Sequence, residues 1–285
     1  MFQLSIFFYF IFGTIIGSFL NVLTLRYNTG KGIYGRSSCP SCRKELRWFE
    51  LVPIFSWVWQ GGRCANCGSK ISLQYPIVEF ATGASFSFAF FLDIDILPLI
   101  LFLSITSTLI AIAIYDVRHT IIPDSWVYFF AFLSFLFILM DSNVTVSFFK
   151  IFESVFAGAL LSIPFVFLWF ISKGMWIGLG DAKLIFGIGI LLGIEQGFFS
   201  IMLSFVLGAI VGIFLLLLSS EAWARLLEKI TPTKISQELT YGFRMRSEIP
   251  FGPFLIGVSF VVWVSNLHGM YVTPDFINEV LVLLS

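Results

Sequence analysis

Eight apolar runs divide this chain, and nearly all of its charge lies between them. The runs fall at roughly residues 5–25, 76–92, 97–115, 124–140, 148–171, 183–196, 198–219 and 249–268. A helix crosses the hydrocarbon core of a bilayer in about 20 residues, fewer where neighbouring helices bury it. No water reaches the backbone there, so each run must close its own hydrogen bonds as a helix. Hydrophobic residues make up 58% of the 285, charged residues 12%, and the mean hydropathy is +0.94. Soluble domains carry about 25% charged residues. The expected fold is an all-α polytopic membrane protein with about eight transmembrane helices. The sixth run is short and Gly-rich. The 36 Phe are read as lipid-facing or interhelical.

Charge sets the orientation. The segment after the first run carries Arg26, Lys31, Arg36, Arg43, Lys44, Arg47, Arg63 and Lys70. Arg118 follows the third run, Lys173 and Lys183 follow the fifth, and Arg225, Lys229, Lys234, Arg244 and Arg246 follow the seventh. With eight spans, 16 of the 17 basic residues fall on one side, and Lys150 alone falls on the other. Basic loops stay cytoplasmic, so both termini are expected outside. No Lys or Arg precedes the first run, which is therefore read as a retained helix rather than a secretory signal. The expected division is 1–25 as the first helix, 26–75 as a cytoplasmic loop domain, and 76–285 as the main membrane domain. A second cytoplasmic loop, 221–248, opens with an amphipathic helical stretch that Thr231-Pro232-Thr233 breaks. Zero net charge gives no bulk basic character for nucleic acid.

All four cysteines lie in the first loop, as Cys39-x2-Cys42 and, after 21 further residues, Cys64-x2-Cys67. Two such pairs supply a tetrahedron of thiolates that suits zinc. The cytosol disfavours structural disulfides. A redox pair is the alternative, but it comes singly and beside a βαβ pattern that is absent here. A loop of this size lacks a sufficient core and gains from a metal staple. Four thiolates leave no open position, so the zinc reads as structural.

Two aspartates sit at the cytoplasmic ends of apolar runs. Asp116 closes the third, and Asp181 follows Gly178-Leu179-Gly180 before the sixth. Each alone reads as an interfacial residue or a helix cap. Together, on one face of the bilayer, they form a functional-site hypothesis. The two glycines allow a substrate strand to approach closely. Two close carboxylates share one proton: the charged one can activate water, and the protonated one can polarise a peptide carbonyl. The helix start at Asp181 favours it as the charged partner. Among other polar residues, Asp124 starts the fourth run and Lys183 points off the Asp181 face, toward lipid phosphates or substrate. Glu79, inside the second run, is placed to meet a basic segment or a loop arginine. His119 is interfacial and His268 lies at the outer face.

These residues, in this order, resemble the type IV prepilin peptidases, a family of membrane aspartic proteases with a G-x-G-D motif. The resemblance runs through Gly17-Ser18-Phe19-Leu20-Asn21-Val22 with Arg26, both cysteine pairs, and Tyr75-Pro76-Ile77-Val78-Glu79. It continues through Asp116 with Pro123-Asp124, then Gly178-Leu179-Gly180-Asp181-Ala182-Lys183-Leu184, and ends at Ile249-Pro250-Phe251-Gly252-Pro253. It implies a bacterial inner-membrane enzyme that cuts the basic leader from prepilins and pseudopilins at the cytoplasmic face, with Asp116 and Asp181 catalytic. It further implies that a chain with the four-cysteine loop methylates the new amino terminus with S-adenosylmethionine. Asn21, Arg26 and Glu79 are candidates for substrate binding or methyl transfer. The chain departs from the pattern at Tyr27-Asn28, where relatives often carry Leu-Pro, and at Tyr115, where Ile is common. It departs also at Cys64-Ala65-Asn66-Cys67, which lacks a frequent basic residue. A transporter would instead place its acids near the midplane within repeated halves. A secretion-system scaffold would give no reason for the paired aspartates.

Overall fold

A computed structural model describes residues 2–30, 32, 35–92, 94–140, 148–218 and 250–267. The 221–248 loop, its amphipathic stretch, His268 and the tail lie outside the described residues. The described residues form helices and turns, with isolated bridges Ser38–Glu45 and Arg63–Lys70 in the first loop. The helices are α1 (Phe2–Arg26), α2 (Phe55–Trp59), α3 (Gln74–Phe88), α4 (Ile96–His119), α5 (Asp124–Leu139), α6 (Phe148–Ser172), α7 (Leu179–Leu218) and α8 (Gly252–Leu267). Short 3-10 turns at Trp48–Leu51 and Ala89–Phe91 precede α2 and extend α3.

Four segments are long and apolar enough to cross a membrane: Ser5–Arg26, Ile96–His119, Ile151–Ser172 and Leu179–Leu217. Asp124–Leu139 and Gly252–Leu267 are shorter apolar helices. α7 covers the sixth and seventh runs, 40 residues in all. A straight helix of that length would extend about 60 Å, twice the hydrocarbon thickness. The chain instead leaves helical geometry at Gly193 (φ 79°, ψ −175°), a conformation that glycine adopts without a Cβ clash. It then doubles back. A Cβ on Gly197 would lie 3.7 Å from the Gly189 Cα, whereas residues eight apart in a straight helix are ~12 Å apart. The break also falls at Gly193, a few residues before the boundary expected at 196–198.

α8 fixes the direction of both halves. At one end its Asn266 amide donates to Gln196, just past the break. At the other, Phe251 stacks on Phe205 at 4.5 Å, and Ser204 Oγ donates to the Phe254 carbonyl at 3.4 Å. The start and finish of α7 therefore lie at the Gly252 end of α8. A core of Phe102, Phe130, Phe137, Ile185, Ile188 and Trp263 ties α4, α5, α7 and α8 together. α1 packs on α3 through Gly13 and Gly17, one turn apart. Added Cβ atoms there would meet the Thr82 carbonyl at 2.7 Å and the Glu79 Cα at 2.8 Å. Small residues at this spacing let membrane helices approach backbone to backbone.

Candidate active site

Asp116 occupies the last turn of α4 and is 5% exposed. The helix ends there because Thr120 turns into the left-handed region (φ 51°) and returns its N–H to the Asp116 carbonyl at 2.7 Å. Ile121 to Pro123 run non-helically, and Asp124 opens α5. The Asp116 side chain is held from outside its own helix. The N–H of Gly252, the first residue of α8, donates to its Oδ2 at 3.0 Å. The first amides of a helix have no partner within it and carry partial positive charge. Asp116 thus meets the N-terminus of α8.

Asp181 lies in the first turn of α7, half-buried, rather than capping it from outside. The Gly178 backbone hydrogen-bonds its carboxylate. Asp116 also meets a helix N-terminus, that of α8, but it sits in the last turn of α4, whose carbonyl end opposes a negative charge. Ile122 joins their surroundings. A Cβ on Gly180 would lie 2.9 Å from the Ile122 Cβ, and one on Gly252 would lie 3.5 Å from its Cδ1. Both motif glycines therefore press on one buried isoleucine, and their missing side chains set the spacing of α7, α8 and the α4–α5 turn.

Lys183 turns away from Asp181 and pairs with Asp124 Oδ2 at 2.8 Å, with its ammonium 5.5 Å from the Tyr128 ring. Glu79 is buried and accepts the Ile54 N–H at 2.6 Å and a hydrogen bond from Ser18, so its partner in the loop is backbone and not an arginine. Asn21 is fully buried, donates to the Tyr75 carbonyl at 3.3 Å, and keeps its Oδ1 without a partner among the described residues. Arg26 reaches the Gly32 and Arg36 carbonyls at 3.4 and 3.3 Å. Asn21 and Glu79 lie where α1 packs on α3, whereas Arg26 is bound to the loop at the end of α1, away from both.

Sequence reasoning missed an aromatic cluster beside Asp116. Tyr27 packs edge-on against Tyr115 at 5.5 Å and against Trp126 at 4.6 Å, and its hydroxyl lies 2.8 Å from Ser125 Oγ. His119 lies over Tyr115 at 4.4 Å. The available signal was the pair of departures at Tyr27 and Tyr115, which prove to be one contact.

The four cysteines converge, with their sulfurs within 4.8 Å of one another. Cys39 and Cys67 sulfurs are 3.9 Å apart; a tetrahedral ion with bonds of ~2.3 Å would set them about 3.8 Å apart. The two pairs are built alike. Arg43 and Gly68, each one past its second cysteine, take φ of 58° and 70°. Each donates to the first cysteine's carbonyl, at 2.8 and 2.9 Å. Hydrogen bonding from the Cys42 backbone lowers the Cys39 thiol to about 6, leaving a thiolate near neutral pH. The donor set fits a thiophilic metal ion.

Residues 11–92 match the bacterial peptidase A24 N-terminal domain, and residues 103–213 match the type IV leader peptidase family. A Bacillus subtilis protein named prepilin leader peptidase/N-methyltransferase is 34% identical over 71% of this chain and 80% of its own. Proteins of the same name from Myxococcus xanthus and Pseudomonas aeruginosa are 31% and 27% identical. They are covered over 76% and 93% of this chain, and 65% and 91% of their own. No solved structure matches the chain. The paired aspartates, the cysteine loop and these relatives lead to one conclusion: the chain belongs to the type IV leader peptidase family, the prepilin peptidases.

Proposed function

We propose that this protein removes the basic leader from prepilins or pseudopilins at the cytoplasmic face of the bacterial inner membrane, with Asp116 and Asp181 as the catalytic dyad. The supporting observation is that two carboxylates 65 positions apart in sequence meet around one residue: Gly252, whose N–H binds Asp116, and Gly180, the neighbour of Asp181, both pack on Ile122. One carboxylate, ionised, takes a proton from water as that water attacks the scissile carbonyl. The other, protonated, donates to the carbonyl oxygen and later to the leaving amine. Gly180 is packed against Ile122 and so sets the helix spacing rather than leaving room for substrate, while Gly178 lies directly beside the Asp181 carboxylate. Lys183, paired with Asp124, holds α7 to α5 and stands outside the reaction.

Eight spans with both termini outside support this reading. The two halves of α7 fit the sixth and seventh spans, and the dyad then falls at the depth of a prepilin scissile bond. Residues 1–25, 26–75 and 76–285 remain the working division. Cys39, Cys42, Cys64 and Cys67 would hold one zinc ion, whose part is to staple the loop. The relatives' name carries methyl transfer to this chain as well, with S-adenosylmethionine as the implied donor. The loop holds a cleft of about 430 Å³. It is walled by Phe49, Phe55 and Trp59, and its one carboxylate, Glu50, already accepts the Arg47 N–H at 2.7 Å. No methyl-transfer step is assigned to particular residues.

The test is intact mass measurement of a prepilin co-expressed with the wild type or with Asp181→Asn. Leader loss plus one methyl, both dependent on the wild-type enzyme, is the expected result. An uncut prepilin, across a panel of prepilins and pseudopilins and beside folded enzyme, would overturn the reading.

A further inference from the structure

The stretch between the two cysteine pairs carries the most exposed aromatics of the loop. Trp59 is 81% exposed, Trp48 79%, Val58 64%, Phe55 62% and Phe49 48%. A contiguous apolar surface of this kind marks an interaction site. The fold shows where it sits relative to the bilayer. The stretch is fixed at both ends by the cysteine pairs and in its middle by Glu79, which accepts the Ile54 N–H. Glu79 lies level with Gly17, whose added Cβ would be 2.8 Å from the Glu79 Cα. Gly17 is two and a half turns, about 14 Å, inside the Arg26 end of α1. Even with the Glu79 side chain stretched toward the cytoplasm, Ile54 stays on the membrane side of Arg26.

Ile54 therefore lies below the Arg26 end of α1 and no higher than about the start of α3 at Gln74, and the residues on either side of it are the exposed aromatics. Trp57 fastens this wedge to the second cysteine pair. Its indole N–H donates to the Ile71 carbonyl at 3.3 Å, and Gly62 packs against its ring. Exposed Arg47 and Arg63 flank the wedge, one on each side. Tryptophans with apolar neighbours at the headgroup level, flanked by arginines, are the chemistry of an interfacial anchor. The exposed Leu73, just before α3, and Ile77 and Phe80 within it extend the apolar surface into the bilayer.

We infer that residues 48–59 form a membrane-inserted wedge, docking the cysteine loop on the lipid headgroup region beside α1 and α3. The loop is then a lid lying on the bilayer rather than a domain free in the cytosol. The zinc staple serves to present the wedge, because the two knuckles hold its ends. This inference does not depend on the assignment of the dyad.

The test uses the full chain reconstituted in phosphatidylcholine–phosphatidylglycerol vesicles whose lipids carry bromine near the carbonyls or near the chain ends. Subtracting the emission of Trp48→Phe and Trp59→Phe from the wild type isolates the two wedge tryptophans, and retained zinc content shows that each variant is folded. The expected result is loss of both components with shallow bromines, a smaller loss with deep ones, and protection from aqueous iodide. Components quenched by iodide and not by brominated lipid would overturn the inference and give the surface to a cytosolic partner. Components insensitive to both would overturn it too, placing the tryptophans under protein.

Discussion

The backbone N–H of Gly252 reaches across 136 positions of sequence to the Oδ2 of Asp116, at 3.0 Å. This bond places an aspartate from the end of one membrane helix at the positive start of another. It also explains why glycine stands at 252, since a Cβ there would lie 2.6 Å from the same oxygen. Substituting Gly252→Ala should displace Asp116 and lower the cleavage rate by about 10²-fold, the cost of a small misplacement of a reacting group. Leader-peptide cleavage measured beside thermal unfolding in detergent checks this. The rate should fall far more than stability does.

Asp116 and Asp181 should behave as a unit. Asp116→Asn, Asp181→Asn and the double variant should each lose ~10³-fold or more in cleavage, and the double should lose little beyond the singles. Single-turnover rates on a purified prepilin measure the comparison. Additive losses would mean that the residues act in separate steps.

Tyr27 and Tyr115 depart from the family pattern together and touch edge-to-face at 5.5 Å. A double-mutant cycle with Tyr27→Leu and Tyr115→Ile should show a coupling of about 0.5–1.5 kcal/mol, as for other aromatic pairs. Thermal unfolding of the four proteins supplies the cycle.

Metal binding by the cysteine loop should depend on pH. Ligand thiols must lose protons to bind, so protons compete with the ion. The Cys39 thiol, at about 6, is already a thiolate at neutral pH and is protonated as pH falls below that value. Zinc uptake by the chelator-stripped protein should weaken progressively as pH falls from about 8 to about 5, because all four thiols must lose protons and Cys64 is raised while Cys39 is lowered. Metal analysis after dialysis across that range tests it, and Cys64→Ser should weaken uptake at every pH.

Much of the architecture was legible in the chain. Apolar runs and basic loops predict helices and their order, because an unpaired backbone group is costly in lipid and a basic loop is costly to translocate. The C-x2-C pairs predict the sulfur cluster because a two-residue spacer brings both sulfurs to one ion. Asp116 and Asp181 stand out because carboxylates in apolar runs are expensive. Such signals are local: each can be read within one turn, one loop or one run.

What the tertiary structure decided is who meets whom. No local pattern says that α8 delivers its first amide to Asp116, or that Ile122 is shared by Gly180 and Gly252. None pairs Lys183 with Asp124, or Glu79 with the Ile54 backbone. Gly193 looks like one glycine among several in a Gly-rich run, and only packing against α6 and α8 makes it the point where α7 turns back. These contacts join residues far apart in sequence. Their geometry depends on how closely helices can approach, and that is set jointly by side chains on both partners.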